Sequence, residues 1–258
     1  REKAGILREG KPLVASETHP PLSVLETARD LGCPVLRAGR DFHLEAQGED
    51  QLVLVLDGTR HAFDAPLLGG PHQRENLAAG MVAALTLFPV GEALPEAVVR
   101  GLATAHIPGR LEPVGERPGY LVDVGHNPLA AAVVADALAQ RGSRCYCVLG
   151  MLGDKDAESV AQLLAPQVEA FLCAGLADGW RAQTGAELAD RVRHRVGGVP
   201  VDAFPTVRSA LVEARRRADG QRCVLVFGSF RTAAEAFEWF KEQGLERLSG
   251  SAHDMARA

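Results

Sequence analysis

The sequence predicts an α/β protein whose second half is a parallel, Rossmann-like sheet covered by helices on both faces. Three observations carry that expectation. From about residue 108 onward, short apolar runs alternate with helical segments in a regular β-then-α order. The strand candidates are near-continuous apolar runs, as expected when helices cover both faces. Polar residues also gather just beyond the carboxyl ends of those strands, where ligands bind in such sheets.

Residues 1 to about 105 are less regular. KPLVAS (11–16) reads as a strand, LSVLETARDLG (22–32) as a helix and PVLRAG (34–39) as another strand. Residues 42–69 alternate and turn as antiparallel strands do. HQRENLAAGMVAALTLF (72–88) and PEAVVRGLATA (95–105) read as two helices. Residues 106–119 hold three prolines and three glycines, which marks a junction or loop.

Beyond that junction, GYLVDVG (119–125) is a strand. PLAAAVVADALAQRG (128–142) is a helix with Pro128 in its first turn and Gly142 past its end. RCYCVLGML (144–152), VEAFLCAG (168–175), PVDAFP (200–205) and CVLVFGSF (223–230) read as strands. Helices follow them at 157–167, 185–195, 207–218 and 232–244.

The chain has 258 residues, 47% hydrophobic and 24% charged, with a formal net charge of −5. That is ample for a buried core in one or two domains. The mild acidity argues against nucleic acid as a partner, because phosphate neutralisation favours a basic patch. The arginine-rich run Glu213–Asp219 reads as a solvated helix face. The five cysteines, Cys33, Cys145, Cys147, Cys173 and Cys223, form no C-x-x-C pair and read as reduced thiols in a cytosolic protein. No apolar stretch approaches the ~18 residues of a membrane span, and no signal peptide is evident, so no membrane partner is expected. The chain opens Arg-Glu-Lys with no Met, which reads as the interior of something longer.

The candidate site residues each have a plain reading beside the functional one. Asp123, at a strand end, can accept from ribose hydroxyls or cap the next helix, and His126 can stack, hydrogen-bond or sit on the surface. No G-x-G-x-x-G follows that strand, so the usual dinucleotide loop is absent. Asp154, Lys155 and Asp156 form a charged turn that can hold a substrate carboxylate. Ser229 and its neighbours can make an anion site at a helix start or an ordinary N-cap. Arg110 is a loop arginine, Asn76 a first-turn residue, and Lys3 one half of a charge pair with Glu2.

Taken together and in order, E-K-A-G-I (2–6), H-Q-x-x-N (72–76), P-G-R (108–110), D-V-G-H-N-P (123–128), G-M-L-x-D-K-D (150–156) and V-F-G-S-F (226–230) tell more. This set resembles the bacterial dihydrofolate synthase/folylpolyglutamate synthase family, relatives of the Mur ligases. The resemblance implies three segments. Residues 1–106 would be the C-terminal part of a central P-loop ATPase domain, 107–248 a Rossmann-like Mur-ligase C-terminal domain, and 249–258 a tail. The family's P-loop and glycine-rich folate segment lie upstream of E-K-A-G-I, and no G-x-x-x-x-G-K-[ST] occurs here. The chain therefore resembles the last three-fifths of the enzyme, and is expected to be inactive alone. Gly125, where the family usually has Ala, is a smaller and conservative departure.

The resemblance implies an ATP-dependent ligase that adds L-glutamate to dihydropteroate and/or folate through an acyl phosphate. Lys3 would be carbamylated and hold Mg²⁺. Asn76 would contact adenine, Arg110 the nucleotide phosphates, and Asp123 and His126 the nucleotide, with Asp123 suited to the ribose. Lys155 and Ser229 would hold the incoming glutamate. It further implies a cytoplasmic monomer. Two rivals remain. A non-catalytic Rossmann-like nucleotide-binding module would have no use for a carbamylated Lys3. A Mur-type peptidoglycan amino-acid ligase shares the architecture, but E-K-A-G-I and D-K-D are closer to the folate branch. A dehydrogenase is disfavoured by the missing glycine fingerprint.

Overall fold

The computed structural model describes residues 2–48, 51–64, 71–88, 98, 101, 107–116, 119–142, 144–177 and 179–245, with residues 2, 3 and 71–73 described by backbone alone. The helix expected at 95–105 and the tail at 249–258 lie mostly or wholly outside the described residues. The chain divides into two compact units, Arg1–His106 and Ile107–Ala258.

In the first unit, β1 (Leu13–Ala15) and β2 (Val35–Arg37) pair in parallel and are connected through α1 (Leu22–Asp30). A three-stranded antiparallel sheet follows: β3 (Phe42–Ala46), β4 (Gln51–Leu56) and β5 (Thr59–Asp64). β4 turns into β5 at Asp57-Gly58, both with positive φ (48° and 79°), the backbone that a two-residue hairpin turn demands. Phe42, Leu54 and Phe63 of the sheet pack with Met81 and Val82 of α2 (Pro71–Leu87) in one buried cluster.

The second unit is built on a six-stranded sheet. Its strands are β6 (Glu112–Val114), β7 (Tyr120–Asp123), β8 (Cys145–Leu149), β9 (Val168–Ala174), β10 (Val201–Phe204) and β11 (Val224–Phe227), in the spatial order β10-β9-β8-β11-β7-β6. All neighbours are parallel except β6, which runs antiparallel to β7. Here the structure corrects the sequence reading of 106–119 as a loop. Glu112-Pro113-Val114 is too short for a pattern to show, and Pro113, lacking an N–H, is tolerated because β6 is an edge strand.

The helices are α3 (Pro128–Arg141), α4 (Ala157–Leu164), α5 (Gly185–Arg193), α6 (Val207–Ala218) and α7 (Phe230–Glu242). Two core clusters separate along the strands' period-two alternation. Leu121, Cys147, Phe171 and Phe227 face α3, α4 and α5, whereas Val122, Val148, Leu172 and Val226 face α6 and α7. Their ends carry the expected caps. Asn127 accepts from the Ala130 N–H with Pro128 at N1, Gly142 closes α3 in the left-handed region, and Thr184 forms a capping box with Glu187. The arginine-rich run is a paired helix face. Arg216 and Arg217 both donate to Glu213 and pull its carboxyl down to about 2. No helix among the described residues is long and apolar enough to cross a membrane.

Gly125 is less interchangeable than its sequence context suggests. A Cβ there would fall 2.7 Å from Cβ of Ala130 and 2.8 Å from the ring of Phe227, which is fully buried. Gly125→Ala should therefore destabilise the fold by about 1–3 kcal/mol, as core overpacking does. Adding Phe227→Leu should recover part of that loss, visible as a non-additive double-mutant cycle in urea melts. The thiols give a second check. Burial pushes Cys223 up to about 11 and Cys173 up to about 12, and raises Cys145 and Cys147 well above the ordinary thiol range. At pH 8 these four should resist a thiol reagent in the native protein and react promptly in guanidinium.

Candidate functional site

Three strand ends meet at the carboxyl end of the six-stranded sheet. Phe227, the last residue of β11, pairs with Asp123 of β7 on one side and Leu149 of β8 on the other. The segments 123–128, 150–156 and 226–230 therefore leave the sheet side by side, at the carboxyl edge where α/β sheets bind ligands.

At the β7 end, Asp123 is 4% exposed. Its Oδ2 accepts from the Leu111 N–H at 3.0 Å and its Oδ1 from the Gly125 N–H at 2.7 Å. The Val124 N–H donates to the Gly109 carbonyl at 2.8 Å, and Glu112 Oε2 accepts from the Gly109 N–H at 2.6 Å. A carboxylate taking backbone amides is a strong, charge-assisted anchor. It fixes the loop on which half-buried Arg110 sits, between Gly109 and a Leu111 held at a left-handed φ of 47°. The cap of α3 is Asn127 and not Asp123. His126 is half-buried, with Nδ1 3.2 Å from the Val124 carbonyl. In the tautomer that donates there, Nε2 is left as an acceptor.

At the β8 end, Lys155 Nζ donates to Asp154 Oδ2 at 2.9 Å, and that bond holds the Asp154 carboxyl below its ordinary range. Asp156 caps α4 through the Ser159 N–H at 3.0 Å. At the β11 end, Ser229 is buried and caps α7. Its Oγ accepts from the Thr232 N–H at 3.0 Å and lies 2.8 Å from Thr232 Oγ1, which in turn donates to the Gly150 carbonyl at 2.7 Å.

These elements enclose a cavity of about 290 Å³, lined by His126, Lys155, Arg181, Ser229, Phe230 and Arg231 among others. Three cationic side chains and the N-terminus of α7 meet there, which favours an anion. The geometry thus gathers His126, Lys155 and Ser229 in one place and puts Arg110 and Asp123 in the loop clamp beside β7. Lys3 and Asn76 belong to the first unit. Lys3 lies in the 3-10 turn Glu2–Ile6, its side chain outside the described residues, and Asn76 is exposed on α2. No group of three or more His, Cys, Asp or Glu placed to hold a metal occurs among the described residues.

Sequence reasoning missed Arg181, Arg231, Gln183 and Arg191. Arg231 directly follows V-F-G-S-F, and Arg181 stands three residues before the Thr184 cap, so both had local signals. Gln183 and Arg191 had none. Arg191 sits in the helix at 185–195, which carries no candidate site residue in the sequence.

Comparison with known proteins fits this geometry. The family described as Mur ligase, glutamate ligase domain, matches residues 109–230. The dihydrofolate synthase/folylpolyglutamate synthase of Escherichia coli K12 is 33% identical over 241 residues, covering 92% of this chain and 54% of that protein. The Yersinia pestis bifunctional folylpolyglutamate synthase/dihydrofolate synthase, solved with AMPPNP and a Mn ion, superposes with a TM-score of 0.77 at 30% identity, over 93% of this chain and 55% of that one. A structure of such a bifunctional synthase with Mn, AMPPNP and L-glutamate bound superposes with a TM-score of 0.77 at 30% identity, over 93% and 56%. The chain spans about half the length of the relatives it matches. Over that span, the chain matches the dihydrofolate synthase/folylpolyglutamate synthase family of the Mur ligase superfamily.

Proposed function

We propose that this chain is the nucleotide-closing and glutamate-holding part of an ATP-dependent ligase that joins L-glutamate to dihydropteroate and/or folate. The observation that carries this reading is the cavity where Lys155, Arg181 and Arg231 meet the start of α7. Its size and positive lining suit a small dicarboxylate amino acid. The relatives' recorded contents, an ATP analogue, a manganese ion and L-glutamate, support the same assignment.

In the proposed reaction the acceptor's carboxylate oxygen attacks the γ-phosphorus of ATP and ADP leaves. The neutral amine of glutamate then attacks the acyl carbon. The tetrahedral intermediate collapses to an amide, releasing phosphate, and the amine's surplus proton passes to solvent. Positioning and charge neutralisation dominate such phosphoryl transfers. Lys155 would hold a glutamate carboxylate so that its amine meets the acyl phosphate. Ser229 would shape the same wall by starting α7 there. Arg110, held by the Asp123 clamp, would approach the nucleotide phosphates, and His126 and Asp123 would border the nucleotide. Asn76 would contact the adenine. Mg²⁺ would supply charge neutralisation at the phosphates, with carbamylated Lys3 as an oxygen ligand.

The test is a split between Michaelis constants, measured in the polypeptide that carries these residues together with its phosphate loop. Lys155→Met should raise the KM for L-glutamate about 100-fold, the size expected when a charged partner is removed, and leave the KM for ATP within about twofold. Unchanged glutamate KM in a folded Lys155→Met enzyme would reject the assignment.

A further inference from the structure

Arg191 projects from α5 into the segment that carries Lys155 and uses every face of its guanidinium. Nε donates to Glu158 Oε1 at 2.8 Å and Nη2 to Glu158 Oε2 at 2.7 Å, a two-pronged pair. The same Nη2 donates to the Lys155 carbonyl at 2.7 Å. Nη1 donates to the Gly153 carbonyl at 3.3 Å and to Gln183 Oε1 at 2.9 Å. Gln183 is buried, and its Nε2 donates onward to the Met151 carbonyl at 2.9 Å. One arginine and one glutamine thus hold the turn at residues 151, 153, 155 and 158, between the end of β8 and the first turn of α4.

We propose that Arg191, acting with Gln183, is a positioning residue that holds Lys155 at the wall of the anion cavity. Lys155 has a flexible four-carbon stem, so the placement of its ammonium depends on the backbone beneath it. That backbone is a charged turn, Gly153 to Asp156, exposed or half-buried between the buried Leu152 and Ala157. Beside the turn's own backbone bonds, those from Arg191 to the carbonyls of Gly153 and Lys155 tie it to α5. A planar guanidinium can satisfy a carboxylate and several carbonyls together, whereas a lysine ammonium at 191 is a single point and cannot span them. Glu158 keeps the guanidinium in its plane and lifts none of the cavity's positive charge, because it neutralises Arg191 and not Lys155.

The proposal rests on the reading of Lys155 as a glutamate-holding group, and the experiment separates the two. Arg191→Gln, Arg191→Lys, Lys155→Met and the Arg191→Gln/Lys155→Met pair are made in the polypeptide that includes the phosphate loop. KM for L-glutamate and for ATP are measured for each, with thermal melts alongside. Arg191→Gln should raise the glutamate KM roughly 10- to 100-fold, as loss of positioning does, and leave the ATP KM within about twofold. Arg191→Lys should give a rise in the same direction, without rescue. In the double variant the glutamate KM should rise no further than in Lys155→Met, because Arg191 acts through Lys155.

If Lys155→Met leaves the glutamate KM unchanged, the reading of the cavity fails and takes this proposal with it. If Lys155→Met raises it while the folded Arg191 variants keep the parental value, the proposal alone fails. Equal losses for both substrates, or full additivity in the double variant, would mark Arg191 as a fold-stabilising residue and overturn the positioning role. Should Arg191→Gln not fold, Arg191→Lys decides by the same criteria.

Discussion

The close approach of β8 to β11 at their carboxyl ends is the constraint on which the second unit's site depends. The Gly150 N–H donates to the Phe227 carbonyl at 3.0 Å, and Thr232 Oγ1 reaches back to the Gly150 carbonyl at 2.7 Å. No side chain can intervene. A Cβ on Gly150 would sit 2.4 Å from Thr232 Oγ1, and one on Gly228 would sit 2.4 Å from the Gly150 carbonyl oxygen. Gly228 also adopts a φ of 123°, a backbone that other residues rarely take. These two glycines let α7 begin directly at the sheet edge, next to the turn that carries Lys155. The G-M-L and G-S-F motifs are therefore two sides of one contact.

Charge in this unit divides into frame and lining. Arg191 with Glu158, Arg216 and Arg217 with Glu213, and Arg222 with Glu169 pair on and between the helices and the sheet. The Arg216 and Arg222 pairs are exposed on the arginine side and worth little individually to stability. Arg191 differs because, besides Glu158 and Gln183, it bonds two backbone carbonyls of one turn, so it sets geometry more than net energy. Asp123 is the acidic counterpart. Two amide donors at 3.0 and 2.7 Å hold its carboxylate in place, and through it the Arg110 loop. A strand-end carboxylate that looks like a ligand group is thus first a clamp, and any ribose contact must be shared with that duty.

Much of the second unit was legible because its strands are buried on both faces and its helices announce their own ends. Asn127-Pro128, Thr184 with Glu187, and Gly142 are local signals with local causes, so the boundaries follow from neighbours in sequence. The residues gathered in the cavity were legible for a related reason. His126, Lys155 and Ser229 all lie within a few residues of a parallel strand's carboxyl end, and a parallel sheet brings those ends to one edge. What stayed hidden depends on long-range pairing. β6 owes its existence to hydrogen bonds with β7, and Pro113 argues against a strand until its edge position is known. The bond from Arg191 to Lys155 spans 36 residues, and the Gly125 constraint comes from Phe227, about a hundred residues later. No periodicity reports either.

Ser229 shows how a structural duty can prepare a binding one. Its hydroxyl accepts from the Thr232 N–H, the third amide of α7, and leans on Thr232 Oγ1. Both capacities of the hydroxyl are thereby used inside the fold, which on its own favours the plain capping role. Yet a cap at that position organises the helix start. The amides of Phe230 and Arg231 precede the helix's own acceptors, and the positive end of the helix dipole lies with them at the cavity wall. Removing the hydroxyl would loosen the first turn before it deleted any contact to a bound anion. In this unit the main contribution of Ser229 to an anion would pass through the backbone, while Lys155 would contribute through its own charge. The two residues share one cavity by different physical means.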